Sequence, residues 1–375
     1  MQQSDLLFPN QKPVPDILRT PETTHTPDIA EVREIYESDK RDSDALHMPD
    51  TTKTHEPDAA DLPSPDMPER IHASNASERI FAAMKRLCEK APRIHCLTNM
   101  VTMNDVANIL LAIGGSAIMA QSNAEVEQIT ALCQATLINT GTPSDEKFFA
   151  CCLAGAKANK LGHPVVLDPV GVGASIYRKE NIGNLLLKIH PNLIRCNLEE
   201  ALTLLALAGE NLNENKADTD GCSECKDTPP KLILPETDEP LNAACELLHG
   251  GVESGADADI STRAKIAAQL AKTYQTTALI SGSTDAVSNG YRTALITGGD
   301  KRITRITGSG CMLSAICAAL LSTQKDSYQA ALDASILWKQ AAEYAGQKTD
   351  ANSAGMGSFR QFLFDAATNL GCLKI

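Results

Sequence analysis

Short apolar runs alternate with longer segments of helical spacing between residues 77 and 207. The runs are almost continuously hydrophobic and end on a polar residue, as is typical of parallel strands buried on both faces. The predicted strands are 93–99, 116–120, 136–139, 163–168 and 193–197. The predicted helices between and after them are 77–90, 104–113, 125–135, 144–161, 180–190 and 198–207. This alternation predicts an α/β fold with a mostly parallel central sheet flanked by helices on both faces.

The pattern changes after residue 260. A helix at 261–273 and a strand at 277–282 are followed by a hairpin, 285–288 with 293–296, around Asn289-Gly290. A further strand is predicted at 303–306. Three helices then complete the chain, at 312–322, 327–348 and 359–370.

Polar residues stand where several of the predicted strands end. In a parallel sheet, ligands bind beyond the carboxyl ends of the strands, so these residues are candidate site residues. They are Asn99, Met119-Ala120, Asn139-Thr140-Gly141 and Asp168. Any one of them can also be a turn former or a helix cap.

Two segments differ in composition from the rest of the chain. Residues 1–75 contain 10 of the 19 prolines and many acids, which predicts a disordered extension, because such a segment cannot bury enough apolar surface to fold. Residues 76–375 then form the folded domain. Within it, the acidic segment 209–242 is interpreted as a flexible surface insertion, and a short helix is predicted after it at 243–248.

Charge and cysteine content limit the class of protein. Residues 1–75 hold 7 Lys or Arg and 16 Asp or Glu, so they carry −9 of the net charge of −13. This balance argues against nucleic acid or an anionic membrane as a partner. We find no transmembrane run and no signal-peptide core. Twelve scattered cysteines favour a reducing compartment, so a cytoplasmic protein is expected. The lone Cys222/Cys225 pair is a weak indication of zinc.

A glycine-rich stretch at 305–314 (RITGSGCMLS) precedes an apolar helix. Gly308 and Gly310 permit close approach of a ligand to the backbone, and free N–H groups at a helix start favour an anion such as phosphate. Cys311 stands at that helix start, where the pKa of a thiol tends to fall. The alternative is an ordinary turn with a buried cysteine.

Seven motifs occur in the order found in hydroxyethylthiazole kinases of thiamine salvage, and the chain resembles this family of ribokinase-like fold over most of residues 79–370. The motifs are 96–99 (CLTN), 117–120 (AIMA), 139–142 (NTGT), 167–174 (LDPVGVGA), 194–200 (IRCNLEE), 251–255 (GVESG) and 307–311 (TGSGC). The implied reaction is ATP- and Mg²⁺-dependent phosphorylation of the hydroxyl of 4-methyl-5-(2-hydroxyethyl)thiazole. The resemblance also implies a homotrimer with the thiazole pocket at the subunit interface.

The resemblance assigns a role to each matching residue. It implies a thiazole pocket at Asn99, Met119 and Gly308. It implies ATP contacts at Arg195, Asn197, Ser281 and Gly310, although the family usually has Thr where Ser281 stands. The implied Mg²⁺ ligands are Asp168 and Glu200. Cys311 stands where sugar kinases of this fold carry an Asp base, and it is implied to accept or orient the proton of the substrate hydroxyl.

Other interpretations remain open on the residues alone. Asp168 can cap a turn, Glu200 can be a first-turn helix acid, Arg195 can form a surface ion pair and Met119 can be plain core. A kinase of another small alcohol, such as hydroxymethylpyrimidine, would share the fold and reaction. A non-catalytic binding protein would keep the pocket. A cysteine hydrolase built on Cys311 would need a histidine base nearby.

Overall fold

The computed structural model describes residues 68–217 and 256–370. In these residues, nine strands form one sheet with the order β1-β9-β8-β7-β6-β5-β4-β2-β3. The strands are β1 (Glu69–His72), β2 (Arg93–Leu97), β3 (Ser116–Ile118), β4 (Ala135–Asn139), β5 (Val165–Asp168), β6 (Leu193–Cys196), β7 (Thr277–Ile280), β8 (Asp285–Ser288) and β9 (Thr293–Thr297). Strands β2 to β7 are parallel to one another, whereas β8 is antiparallel to both β7 and β9.

Helices cover the sheet on both faces. They are α1 (Ser77–Lys90), α2 (Met103–Ala112), α3 (Val126–Leu132), α4 (Asp145–Leu161), α5 (Ile176–Lys188), α6 (Leu198–Ala217), α7 (Ala256–Tyr274), α8 (Ser309–Leu321), α9 (Ser327–Ala351) and α10 (Met356–Leu370). Together with the sheet they confirm the predicted α/β fold class.

Two hydrophobic clusters lie on opposite faces of the sheet. In β4, Leu137 belongs to one cluster and its neighbour Ile138 to the other, and Val166 and Leu167 of β5 divide in the same way. Successive strand residues point to opposite faces, so burial of both explains the continuous apolar runs in the sequence. The first cluster includes α8, in which every residue from Cys311 to Leu321 is buried. A helix that is apolar all round belongs in a core.

Three features differ from the sequence predictions. Residues 69–72, assigned to the disordered extension, form β1, which pairs in parallel with β9, and Ala73 is buried. Residues 301–305 form a 3₁₀ helix, so the predicted strand at 303–306 is wrong. The side chain of Asp300 accepts a hydrogen bond from the N–H of Arg302 and starts that helix. Helix α5 begins four residues before the predicted start at 180, because Ser175 caps it.

Several predicted segments lie wholly or partly outside the described residues. Residues 209–217 of the proposed insertion continue α6, and the rest of that segment is not described. The helix expected at 243–248, the motif at 251–255 and the Cys222/Cys225 pair are also outside the described part, as is the extension before residue 68. Within the described ranges, we find no helix with the length and apolar character needed to cross a membrane.

Candidate active site

The carboxyl ends of the central strands bring the predicted polar residues together. Asn139 ends β4 and pairs in register with Asp168, which ends β5. Asn99 follows the end of β2, the other neighbour of β4. Arg195 is the next-to-last residue of β6, beside β5. Because these parallel strands end at one edge, the four side chains lie where ligands bind in such sheets.

Asp168 is fully buried, and two uncharged side chains donate hydrogen bonds to its carboxylate. Its Oδ2 accepts hydrogen bonds from Asn139 Nδ2 at 2.7 Å and from Ser314 Oγ at 2.8 Å. Its Oδ1 accepts no hydrogen bond from the described residues, and Arg195 Nη1 lies 3.6 Å from it. Burial raises the pKa of this carboxyl, whereas the positive charge of Arg195 lowers it.

Two asparagine amides hold the sulfur of Cys311. Asn99 Nδ2 lies 3.4 Å from Cys311 Sγ, and Asn139 Nδ2 lies 3.2 Å from it. The two amides also contact each other, since Asn99 Nδ2 donates to Asn139 Oδ1 at 3.1 Å. With two N–H groups directed at it and a further hydrogen bond from Thr102, the sulfur acts as an acceptor towards the protein.

The pKa of the Cys311 thiol is raised, contrary to the expectation from its place at a helix start. Burial is the main cause, and the negative charge of Asp168 adds to it. Only 8 % of the Cys311 surface is exposed. Removal from water and a nearby carboxylate outweigh the favourable helix dipole, so Cys311 is a thiol rather than a thiolate near neutral pH.

Arg195 joins the β6 strand end to the start of α8. Its Nη2 donates a hydrogen bond to Ser281 Oγ, just after β7. A Cβ atom built on Gly310 would lie 2.9 Å from Arg195 Cζ, so the guanidinium passes over the backbone of that glycine. The buried Nε of Arg195 has no hydrogen-bond partner among the described residues. The cation thus faces the N-terminal end of α8, where free N–H groups favour an anion.

Glu200 and Asn197 form a reciprocal cap at the start of α6. Asn197 Oδ1 accepts from the N–H of Glu200 at 2.8 Å, and Glu200 Oε2 accepts from the N–H of Asn197 at 2.9 Å. The other carboxylate oxygen, Oε1, accepts from the N–H of Gly171 at 2.9 Å. Glu200 therefore fixes the loop that follows Asp168, as well as its own helix.

Gly308 takes a backbone conformation that favours glycine. Its φ is +80°, and an added Cβ would collide with the side chain of Thr102. Gly308 is the N-cap of α8, so the helix begins at Ser309, earlier than the sequence indicates. Thr102 is buried, and its side-chain hydrogen bond to Cys311 lowers the pKa of that thiol, although burial outweighs this effect. A buried hydroxyl in this position suits contact with a polar ligand.

Met119 lies apart from this polar network. It follows β3, the edge strand beside β2, and packs half-buried against the first hydrophobic cluster. The next residue, Ala120, is tied to β2 because its carbonyl oxygen lies 2.9 Å from His95 Nε2. Met119 therefore lies near the same edge of the sheet, but it contributes only an apolar side chain there.

Three residues of the site were not expected from the sequence: Thr102, Lys147 and Ser314. Asn139 was expected as a candidate site residue at a strand end, but without a specific role. Ser314 stands one helical turn after Gly310, a spacing that would have placed both on one face of α8. Lys147 gives no signal in the sequence, because a lysine near a helix start is ordinarily exposed.

The residues present fit a divalent cation of the magnesium type. Magnesium prefers oxygen ligands and is usually bound by one or two carboxylates together with water and substrate phosphates. Asp168 Oδ1 is a buried carboxylate oxygen without a hydrogen-bond donor, which a cation would satisfy. Glu200 is close enough to raise the pKa of Asp168. In the described ranges no group of three or more His, Cys, Asp or Glu forms a metal cage.

A solved structure is similar to this chain in overall fold. A hydroxyethylthiazole kinase from Pyrococcus horikoshii OT3 superposes with a TM-score of 0.59 at 28 % sequence identity, over 78 % of this chain and 93 % of that chain. This chain is therefore similar in overall fold to a thiazole kinase across almost all of that protein's length.

Sequence relatives carry the same name. A hydroxyethylthiazole kinase of Lysinibacillus sphaericus is 37 % identical over 263 residues, which are 70 % of this chain and 87 % of the relative. One of Listeria monocytogenes is 36 % identical over 287 residues, 76 % of this chain and 91 % of the relative. The model of the hydroxyethylthiazole kinase family matches residues 84–225 and 242–371. The chain therefore belongs to the hydroxyethylthiazole kinase family.

Proposed function

We propose that this protein transfers the γ-phosphoryl group of ATP to the hydroxyl of 4-methyl-5-(2-hydroxyethyl)thiazole in a Mg²⁺-dependent reaction of thiamine salvage. The observation that carries the proposal is the connected set of Asn99, Asn139, Cys311 and Asp168 at the N-terminal end of α8. Phosphoryl transfer needs positioning and charge stabilisation more than covalent help, and this set supplies both.

Cys311 orients the substrate hydroxyl in this proposal. Its sulfur accepts from two amides, and the raised pKa keeps its proton in place. A protonated thiol is a poor general base at neutral pH. The Cys311 S–H therefore fixes the alcohol in line with the phosphoryl group, and the hydroxyl proton passes to an oxygen of that group as its bond to ADP breaks. Thr102, whose buried side chain lies beside Gly308 and interacts with Cys311, is a second contact for the alcohol.

The phosphoryl group lies against the start of α8 in this proposal. The first N–H groups of the helix have no intrahelical partner and sit at the positive end of the dipole. Gly308 and Gly310 keep this end free of side chains. Arg195 crosses Gly310 and stabilises negative charge as the phosphoryl group moves. Ser281 and Asn197 complete the ATP contacts.

Asp168 and Glu200 would hold Mg²⁺, which neutralises phosphate charge when it is bound. Asp168 would offer its Oδ1, the carboxylate oxygen without a donor. Glu200 already accepts from two backbone N–H groups, so it would use its remaining lone pairs. The donors of Asn139, Ser314 and the backbone would orient the two carboxylates towards the cation.

The thiazole pocket is proposed to include Met119 and Asn99 and to be completed by a neighbouring subunit of a homotrimer in the cytoplasm. Support comes from exposed apolar side chains beside the site. Met100 and Val101, which directly follow Asn99, are 76 % and 68 % exposed. Large apolar side chains that are exposed next to a site favour burial against another protein surface.

The test is ADP formation by the purified protein with ATP, Mg²⁺ and the hydroxyethylthiazole, run beside hydroxymethylpyrimidine. We expect ADP release that depends on the thiazole. Release with the pyrimidine alone would retain the reaction and reassign the pocket. Binding of either compound without ADP release would instead indicate a non-catalytic protein.

The cysteine hydrolase receives no support from the geometry. The described partners of Cys311 Sγ are the amides of Asn99 and Asn139 and the hydroxyl of Thr102, whereas a hydrolase needs a base that activates the thiol. His95, the nearest histidine in sequence to Asn99, contacts Thr130 and the carbonyl of Ala120 instead. An electrophilic substrate analogue should therefore form no covalent adduct on Cys311 during turnover.

A further inference from the structure

Lys147 is a buried cation that the proposed reaction does not use. It lies in the first turn of α4, where Ser144 Oγ accepts its backbone N–H at 3.2 Å, and only 6 % of its surface is exposed. A positive side chain is unfavourable near a helix N-terminus, because the helix dipole is positive there. Burial of an ammonium group is also costly. Neither helix stability nor core packing explains why a lysine is buried at this position. The explanation must therefore lie in the contacts of its ammonium group.

The ammonium group of Lys147 bridges two strand-end loops. Its Nζ donates to the carbonyl oxygen of Thr98 at 3.0 Å and to the carbonyl oxygen of Gly141. Thr98 directly precedes Asn99, and Gly141 follows Asn139 by two residues. The same lysine therefore holds the backbone on which both cysteine-binding asparagines are carried.

These contacts close a ring of interactions around Cys311. Asn99 and Asn139 contact each other through their side chains, and both contact the sulfur. Lys147 joins the same two loops from the backbone side. The separation of the two amides, and hence the place of the sulfur between them, depends on both links.

We propose that Lys147 is a positioning residue that sets the spacing of Asn99 and Asn139 and so aligns the Cys311 thiol with the substrate hydroxyl. The role deepens the proposed kinase function and rests on it. Lys147 does not contact the reacting atoms and acts through the two loops.

Charge pairing does not account for Lys147. Among the ion pairs of the described residues, none includes its ammonium group. Burial lowers the pKa of Lys147 to about 8, and the groups that act on this pKa are Cys151, Arg178, Cys311 and Asp168. Two carbonyl oxygens thus hold a cation that burial disfavours. This is expected if the role of Lys147 is to fix the distance between the two loops.

The experiment compares Lys147→Met with Lys160→Met. Methionine keeps the aliphatic stem and removes the donors, and Lys160 is an exposed lysine in the last turn of the same helix. We expect Lys147→Met to lower kcat by about 10- to 100-fold through misalignment, with KM for ATP changed by less than about threefold. Lys160→Met should match the wild type. An unchanged kcat in Lys147→Met would overturn the proposal.

A second measurement does not depend on kinase activity. Alkylation of Cys311 by iodoacetamide, followed by mass spectrometry of its peptide, reports how well the loops hold the thiol. Lys147→Met should be alkylated at Cys311 at least about fivefold faster than wild type, because local opening exposes buried groups. Unchanged alkylation with a lower melting temperature would indicate a merely structural lysine and overturn the proposal. If Lys147→Met is insoluble, Lys147→Gln is tested against the same expectations.

The two readouts separate this proposal from the proposed function. If the wild type releases no ADP, the kinase assignment fails, and alkylation still decides whether Lys147 holds the loops around Cys311. If the wild type is an active kinase and both readouts are unchanged in Lys147→Met, only the lysine proposal fails.

Discussion

The guanidinium group of Arg195 fills the space that a side chain on Gly310 would occupy. A Cβ on Gly310 would lie 2.9 Å from Arg195 Cζ and closer still to its terminal nitrogens. Gly310 is inside the first turn of α8, and its φ is not positive. This glycine is therefore required for space above the backbone, whereas Gly308 is required for its left-handed conformation as well.

Gly310→Ala should displace the side chain of Arg195 and weaken the binding of ATP. We expect KM for ATP to rise by about tenfold, since one charge-assisted contact to phosphate is weakened. Steady-state kinetics at saturating thiazole measures the effect. Gly357→Ala is the matched control, because no atom lies within 4 Å of a Cβ at that position in α10. Equal KM values in the two variants would contradict the Arg195 assignment.

The pH dependence of turnover distinguishes an orienting thiol from a base. Burial raises the Cys311 pKa, so the thiolate fraction is small and would grow about tenfold per pH unit below that pKa. If thiolate were the base, kcat would rise in proportion between pH 7 and 8. We expect a flat profile instead.

Substitution of the same residue gives an independent check. Cys311→Ser keeps an oxygen that accepts from Asn99 and Asn139, and it should retain turnover within about tenfold. Cys311→Ala removes the acceptor and should lose more. Comparable loss in both variants would mean that sulfur chemistry, rather than orientation, is required.

Asp168→Asn should abolish most turnover while the fold persists. The amide has nearly the same size as the carboxylate, and its oxygen can accept from Asn139 and Ser314, as Asp168 Oδ2 does. We expect kcat to fall by about 100-fold or more when the charge is lost. Asp365→Asn, at an exposed position of α10, is the control. Full activity at limiting Mg²⁺ would argue against Asp168 as a metal ligand.

Glu200→Gln should affect both stability and Mg²⁺ dependence. A glutamine has one acceptor oxygen, so it cannot accept from the N–H groups of Asn197 and Gly171 as the two carboxylate oxygens do. The free energy of unfolding should fall by about 1–2 kcal/mol, as for loss of a helix cap. The Mg²⁺ concentration for half-maximal activity should rise, and denaturant unfolding separates this effect from the loss of stability. An unchanged Mg²⁺ requirement would leave Glu200 with a capping role alone.

The N-terminal boundary can be tested by two truncations. Removal of residues 1–67 leaves every described strand intact, so the melting temperature should stay within about 2 °C of the full chain. Removal of 1–75 also deletes β1 and the buried Ala73, and exposes an edge of β9. That second truncation should melt several degrees lower or aggregate. Identical melting of both proteins would show that β1 does not stabilise the domain.

The sequence predicts the parallel part of the fold well because each buried strand is a continuous apolar run. Leu137 and Ile138 are both core residues on opposite faces, and such a pair is visible without a structure. The strand prediction at 303–306 was wrong because it gave more weight to the β-branched residues there than to Asp300, whose side chain starts a 3₁₀ helix. Strand β1 was missed because it is short and mostly exposed, and its partner strand is distant in the chain.

The site was predictable only in part. Asn99, Asp168 and Gly308 could be predicted from the sequence, because residues at strand ends and in a glycine-rich turn before a helix are placed by the fold itself. The raised pKa of Cys311 was not predictable, since it depends on burial and on Asp168, far away in sequence. Lys147 was not predictable either, because its partners are backbone carbonyl oxygens on two other loops.

The pairing of β1 with β9 has a consequence for how the chain is made. A ribosome releases residues 69–72 early, whereas their partners, such as Ala294 for Glu69, emerge near the end of synthesis. Strands β2 to β6 can assemble before that point, because each pairs with a strand close in the chain. The outer edge of the sheet is therefore completed last. Until then, the growing chain carries an unpaired strand that a chaperone can bind.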